Sequence, residues 1–228
     1  MLKLENCVIR VGTFGLGADL SVGAGRRVAV IGPSGGGKTT LLEAVAGFIP
    51  PQSGRITWNG RDLGPLGPGE RPVAMLFQEG NLFPHLSAAQ NVGLGLAPRL
   101  KSAREPQVEK ALARVGLDGL GGRKPSEMSG GQRARVALAR VLVQRRDVLL
   151  LDEPFAALGP ALRAEMLDMV MELATETGAT VLMVSHDPKD AERIAQEVIV
   201  VAEGRAAQPV ETGALFADPP EVLRRYLG

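Results

Sequence analysis

The chain has 228 residues, 45% hydrophobic and 22% charged, enough to bury a full core as one domain or one domain with an inserted subdomain, and too apolar for disorder. Lys+Arg number 26 against Asp+Glu 25, and the net charge of +1 leaves no electrostatic footprint for a nucleic acid. The one cysteine, Cys7, excludes an intramolecular disulfide or a cysteine-based zinc cluster and reads as a small buried hydrophobe of the first strand, in keeping with a reducing compartment.

In chain order, Met1 to Val11 reads as a strand, and Lys3 and Glu5 interrupt it before any apolar stretch long enough for a signal peptide. Arg26 to Ile31 is a β-branched run suited to a buried strand, and Thr39 to Ala46 has helical periodicity. Gly54 to Gly60 is a further strand ended by an Asn-Gly turn, followed by a Gly/Pro-rich surface loop, Leu63 to Gly69, and a fourth strand, Val73 to Phe77. From Ser87 to Gln144 the pattern is mostly helical. Short apolar strands return at Val148 to Asp152 and Thr180 to Ser185, with the amphipathic Ala161 to Thr175 between them, and Val198 to Val201 is the last strand. The longest apolar runs, Val148 to Leu151 and Val198 to Ala202, are too short to cross a bilayer. This alternation predicts an α/β fold with a largely parallel core sheet and a helical insertion.

Between the second strand and the first helix, Gly32 to Thr39 read Gly-Pro-Ser-Gly-Gly-Gly-Lys-Thr. Strand, glycine loop and helix in that order form a phosphate cradle: glycines let backbone N–H groups turn inward, and the helix N-terminus adds partial positive charge. Lys38 can then reach the β- and γ-phosphates and Thr39 can place its hydroxyl on Mg²⁺. A bound nucleoside triphosphate is the expectation. The run Val148 to Leu151 carries Asp152 to a strand end, where it can sit beside the loop and the metal, while Glu153 can polarise an attacking water. His186 follows the strand Thr180 to Ser185 and can contact the γ-phosphate. Met128-Ser-Gly-Gly-Gln132 precedes an apolar helical run, with Ser129 as N-cap and two glycines exposing N–H groups to an anion. Taken alone, that segment is an ordinary capped helix.

Together these residues resemble the ATP-binding subunits of ABC transporters. Gly32 to Thr39 matches the Walker A motif, Val148 to Glu153 the Walker B motif with its glutamate, and Met128 to Gln132 the family signature, with Met128 where Leu is usual. Gln78 stands at the Q-loop position and His186 at the switch-histidine position. The resemblance runs over essentially the whole chain. It implies an α/β P-loop NTPase of the ABC ATPase type, with a mostly parallel core sheet, an N-terminal antiparallel β region and an inserted helical subdomain. Residues 1–228 would be a single domain, 1–84 and 146–228 forming the core and 85–145 the helical subdomain that carries the signature. The implied cofactors are ATP and Mg²⁺. Gly32, Pro33, Ser34, Gly35, Gly36, Gly37, Lys38, Thr39 and Thr40 would hold the nucleotide, together with Ser129, Gly130, Gly131 and Gln132 of a second copy in a head-to-tail homodimer. Thr39, Gln78 and Asp152 would hold the metal, and Glu153, His186 and Gln78 would be catalytic. Gln78 would also sense a transmembrane permease docked near the helical subdomain, with a periplasmic binding protein as an indirect partner. The place implied is the cytoplasmic face of a bacterial inner membrane.

Two positions depart from the family pattern. Val11 stands where an aromatic residue usually stacks on adenine, with Phe14 as the nearby substitute, and Gly159 stands where an interface Asp is usual. Gly followed by Pro160 still starts the next helix well. Within the family the chain is most similar to the ATPase subunits of bacterial thiamine importers, in the phrases Arg71 to Glu79, Asn81 to Phe83, Ala89 to Leu96 and Val181 to His186. The chain ends soon after Val201, without the extra C-terminal β-domain of many sugar, polyamine and iron importer ATPases. Import of another solute (iron, polyamine or sulfate), a subunit of an exporter, and a soluble, non-transport ATPase are the alternatives. Against the latter stand the single cassette and the balanced charge.

Overall fold

Strands β1 (Leu2–Val11) and β2 (Phe14–Val22) form a hairpin turning through Gly12 and Thr13, with Val11 opposite Phe14. The sequence patterns above do not mark β2, because Gly15, Gly17 and Asp19 are poor strand formers. Its other positions alternate cleanly inward: Leu16, Ala18, Leu20 and Val22 are all buried. The computed structural model describes residues 1–78, 81–97 and 105–227. Glu79, Gly80 and Gly228 lie outside the described residues, as do positions 98–104 of the stretch read as helical.

β3 (Arg27–Ile31) leads through the glycine loop into α1 (Lys38–Ala46). β4 (Ser53–Trp58) pairs antiparallel with β1 and turns into β5 (Arg61–Asp62) through Asn59 and Gly60, at φ 49° and 82°. Two successive positive φ angles make the turn that an Asn-Gly pair favours. After β6 (Val73–Leu76) come α2 (Ala88–Gly93), α3 (Pro106–Arg114), a 3-10 turn at Pro125–Glu127 and α4 (Gly130–Leu142). β7 (Val148–Asp152), α5 (Pro160–Thr177), β8 (Thr180–Val184), α6 (Pro188–Ile194) and β9 (Glu197–Ala202) return to the alternating pattern. Two short strands, β10 (Arg205–Ala206) and β11 (Val210–Glu211), and helices α7 (Thr212–Ala217) and α8 (Glu221–Leu227) complete the described chain.

These elements divide into two compact units. The first holds Met1–Val73, Asp147–Asp152 and Ala174–Gly228. Its sheet runs β5-β4-β1-β2-β10-β9-β3-β8-β7, with β11 on β9. β9, β3, β8 and β7 are mutually parallel, and β1, β2, β4 and β5 antiparallel. Every residue of β7 and β8 is buried. That is why these strands read as continuous apolar runs, since parallel strands are covered on both faces. Fully burying a Leu or Val of such a strand contributes about 1.5–3 kcal/mol. Burial raises the Cys7 thiol above its ordinary pKa, as suits the buried position expected of it.

One buried cation in this unit is structural. Arg71, 2% exposed, donates to the carbonyls of Ala44 and Val45 at the C-terminus of α1 and to Leu66. Burial lowers its pKa, but a guanidinium stays charged, and at this end of a helix the charge is stabilising.

The second unit, Ala74–Arg146 with Glu153–Leu173, packs α2, α3 and α4 around Val92, Val108, Leu112, Leu117, Val136 and Ala139. Its buried polar pin is Asn91, whose two amide N–H donors are shared among the carbonyls of Phe83, Leu86 and Ser87 and whose Oδ1 accepts the Phe83 N–H. These bonds of one buried amide fix the turn ahead of α2, and Ser87 and Gln90 close a capping box at its start. Replacing Asn91 by Leu strands buried backbone groups and should cost about 2–4 kcal/mol. Urea unfolding should show a lower midpoint at unchanged slope. A loss under about 1 kcal/mol would mean that these groups find other partners.

Candidate functional site

Three strand ends set the site of the first unit. Val30 of β3 is in register with Val184 of β8, and Val184 with Asp152 of β7, so the three lie in one row across adjacent parallel strands. Just past that row the chain enters the glycine loop after β3, Ser185 and His186 after β8, and Glu153 after β7. The carboxyl edge of a parallel sheet is where such folds gather ligand-binding loops.

The glycine loop is shaped by more than access to phosphate. Gly32 has φ 144°, and a β-carbon there would stand 2.0 Å from the carbonyl oxygen of Val201. The end of β9 thus presses on the loop where only glycine fits. Gly37 (φ 105°) caps α1 without any side-chain cap, and the ring of Phe14 lies against it, 2.9 Å from where a β-carbon would be. Phe14 therefore packs on the phosphate loop itself, half-buried, while Val11 across the hairpin is 47% exposed. Lys38 is buried, and its ammonium donates to the carbonyls of Gly32 and Pro33 at 2.8 and 3.0 Å. Those bonds fold the lysine back over the loop that precedes it.

Thr39, in the first turn of α1, donates its hydroxyl to Asp152 Oδ1 at 3.2 Å, across 113 residues of sequence. Asp152 is buried and Thr39 exposed, so the pair stands at the rim of the sheet. Glu43, one helical turn beyond Thr39, has its carboxyl pKa raised, first by burial and then by the charge of Asp152. His186 is exposed on the loop between β8 and α6, whose start is marked by Asp187 as N-cap and Pro188 at the first position.

The remaining residues singled out in the sequence belong to the second unit. Gln78 is exposed and lines a cavity of about 310 Å³ with Leu76, Leu82, Arg133, Pro154 and Leu158. Glu153 is half-buried and holds φ 43°, a left-handed conformation uncommon for anything but Gly and Asn. Ser129 is the N-cap of α4 in a full capping box: its hydroxyl accepts the Gln132 N–H at 3.2 Å, and Gln132 Oε1 accepts the Ser129 N–H at 3.0 Å. Ser129 and Gly130 are exposed. Gly159 is exposed too, its carbonyl accepts the Arg163 N–H at the start of α5, and a β-carbon there would meet nothing within 4 Å.

Sequence patterns miss three contributors. Neither the Val201 carbonyl nor Arg71 carries a local signal, since each acts on residues far along the chain. The pairing of Ser185 with Asp190, described below, is the third, and its one local signal is the Asp-Pro helix start between them.

A glycine loop joining a buried parallel strand to a helix, with a carboxylate of another strand bonded to the loop's threonine, defines a phosphate-loop nucleoside triphosphatase. Residues 16–156 match the family described as "ABC transporter". The whole chain aligns at 62% identity with the whole of two proteins named "Thiamine import ATP-binding protein ThiQ", from Cereibacter sphaeroides and from Ruegeria sp.. It also aligns at 50% with 95% of the protein so named from Brucella suis. Among solved structures, the dimeric post-hydrolysis ATP-binding cassette MJ0796 bound to ADP and Pi superposes at TM-score 0.80. That match has 26% identity and covers 93% of this chain and 99% of the other. The chain belongs to the ABC transporter family, as an ATP-binding, ATP-hydrolysing subunit.

Gly32→Ala tests the packing of the loop on β9. A β-carbon cannot coexist with the Val201 carbonyl where it stands, so the loop must shift as a whole. The expected result is at least about a tenfold loss of ATP affinity, equivalent to about 1.4 kcal/mol, with a lower melting temperature. Titration with a fluorescent ATP analogue and thermal denaturation read the two effects.

Proposed function

We propose that this chain is the ATP-hydrolysing subunit that energises a bacterial importer of thiamine or thiamine phosphates. The observation that carries the chemistry is the meeting of Lys38, Thr39 and Asp152 at one edge of the parallel sheet. Support for the cargo is the 62% identity over the full chain to proteins named for thiamine import.

Backbone N–H groups from Gly35 to Thr40 and the N-terminus of α1 bind the phosphates, and Lys38 moves its ammonium from the loop carbonyls to the β- and γ-phosphate oxygens. The hydroxyl of Thr39 and the carboxylate of Asp152 are hard oxygen donors of the kind Mg²⁺ takes, and these two residues would hold it, with the Gln78 amide as a further ligand. When bound, the ion neutralises charge on the β- and γ-phosphates. Glu153 accepts a proton from the attacking water, and His186 donates a hydrogen bond to the γ-phosphate. Ser129, Gly130, Gly131 and Gln132 complete the site of a second copy. Because the Ser129 hydroxyl oxygen already caps its own helix, its proton is the part available to a phosphate oxygen.

The subunit acts as a homodimer on the cytoplasmic face of the inner membrane, docked on a transmembrane permease, with a periplasmic binding protein delivering the cargo. Among the described residues no helix is long and apolar enough to cross a membrane. In this arrangement attachment falls to the permease.

Glu153→Gln should lower turnover by roughly 10²–10⁴ while preserving ATP binding, since an amide cannot take up the proton of water. It should also trap an ATP-bound dimer, visible by sedimentation. Turnover near the wild-type rate would remove Glu153 from the mechanism.

The cargo is tested with the reconstituted complex. ATP hydrolysis should rise with a thiamine-loaded binding protein and not with iron-, sulfate- or polyamine-loaded ones. The reverse pattern would overturn thiamine and leave the ATPase intact.

A further inference from the structure

His186 is exposed, yet the backbone on both sides of it is tied to one buried hydroxyl. Ser185 is 3% exposed and Asp190, on α6, 7%. The Ser185 Oγ lies 2.6 Å from Asp190 Oδ2 and 3.3 Å from the carbonyl oxygen of Asp187. A hydroxyl has one proton, and the shorter distance and the formal charge assign it to the carboxylate. Its oxygen then accepts the N–H of Asp187, the residue after His186, at 3.0 Å. The N–H of Ser185 itself donates to the carbonyl of Val30, two residues before the glycine loop, at 3.3 Å. On the far side, the Asp190 N–H donates to the Asp187 carbonyl, and Asp187 caps α6 through the Lys189 N–H.

Each bond has a direction that serves the same end. Ser185 reaches down to the strand that carries the phosphate loop, forward over His186 to Asp187, and sideways to a carboxylate on the next helix. The imidazole thus stands on a short bridge whose two footings cannot shift independently. Capping α6 would need only Asp187 and Pro188. Asp190 also lies in the first turn of α6, where a carboxylate favours the helix N-terminus; beyond that, the buried Ser185–Asp190 bond adds a fixed offset between His186 and the loop after β3.

We infer that Ser185 and Asp190 are positioning residues that hold His186 at the height of the γ-phosphate, acting on turnover and not on nucleotide binding. The inference rests on the reading of His186 as a γ-phosphate contact. No proton moves between Ser185 and Asp190 during the reaction; the pair works by geometry, and displacing a reacting group by about 1 Å can cost on the order of 10² in rate.

Steady-state hydrolysis and equilibrium ATP binding by the purified full chain provide the trial, with Ser185→Ala, Ser185→Thr, Asp190→Asn and His186→Ala. Ser185→Ala should lower kcat by about tenfold or more, with ATP affinity unchanged. Ser185→Thr restores the hydroxyl and should restore kcat. Asp190→Asn, which keeps the shape and an acceptor oxygen, should give a smaller fall, and it carries the test if Ser185→Ala does not fold. In the His186→Ala background neither substitution should lower kcat further, because there is no imidazole left to position. A fall of the same size in that background, or weakened ATP binding in step with kcat, would make the pair merely structural and overturn the inference. Wild-type turnover in Ser185→Ala beside an inactive His186→Ala would overturn the inference alone. Wild-type turnover in His186→Ala would overturn the reading of His186, and the positioning role with it.

Discussion

The register of three parallel strands governs everything in the first unit. Because Val30, Val184 and Asp152 share a row, the three segments that follow are delivered to one edge of the sheet without any loop having to travel. Adjacent strands lie about 4.8 Å apart, so β7 and β3, two positions apart, differ by about 10 Å. The glycine loop and the first turn of α1 cover that gap with main chain, so that the Thr39 hydroxyl meets Asp152. A slip of one residue in β7 would turn Asp152 to the opposite face of the sheet. Because both faces of this strand are buried, its apolar run does not by itself select one face, and the pairing of β7 with β8 sets the place of the carboxylate.

Helix α1 is held at both ends by charge and by close packing. Its N-terminus opens on the glycine loop, with Gly37 as an uncapped start, and its C-terminus meets the buried guanidinium of Arg71. A cation at the C-terminus and an anion at the N-terminus both agree with the helix dipole, so the helix favours phosphate before any side chain is considered. The loop is packed from outside by Phe14 and braced by the Val201 carbonyl. These contacts shape the phosphate cradle from outside, and on binding Lys38 exchanges the loop carbonyls for phosphate oxygens.

What was legible in the sequence follows from how locally each feature is encoded. The phosphate loop, the Walker B strand and the Ser129 cap are contiguous, and each appears where its residues predicted. The Asn59-Gly60 turn was readable for the same reason. Strand β2 was not, because its inward alternation is carried partly by Ala while its outward positions hold Gly15, Gly17 and Asp19, which are poor strand formers. Phe14 could be singled out as an aromatic near the nucleotide, but only coordinates place its ring on Gly37. Val201 acts on Gly32 and Arg71 on the end of α1, partners that lie far along the chain, while Ser185 and Asp190 are only five residues apart and meet where α6 begins.

Glu153 shows how the fold and the chemistry pull in different directions. It follows immediately on a strand whose every residue is buried, and it leaves that strand with φ 43°. Three of the other non-glycine residues with positive φ are asparagines, which tolerate this conformation because their short amide bonds to the local backbone. Left-handed backbone costs a glutamate about 1–2 kcal/mol. Glycine would be the unstrained residue there, so stability alone does not account for a carboxylate in that place. The positive φ comes one residue after Asp152, which is bonded to Thr39 at the sheet's rim. Two neighbouring carboxylates with different surroundings can take different tasks, and the strain falls on the residue proposed to do the chemistry.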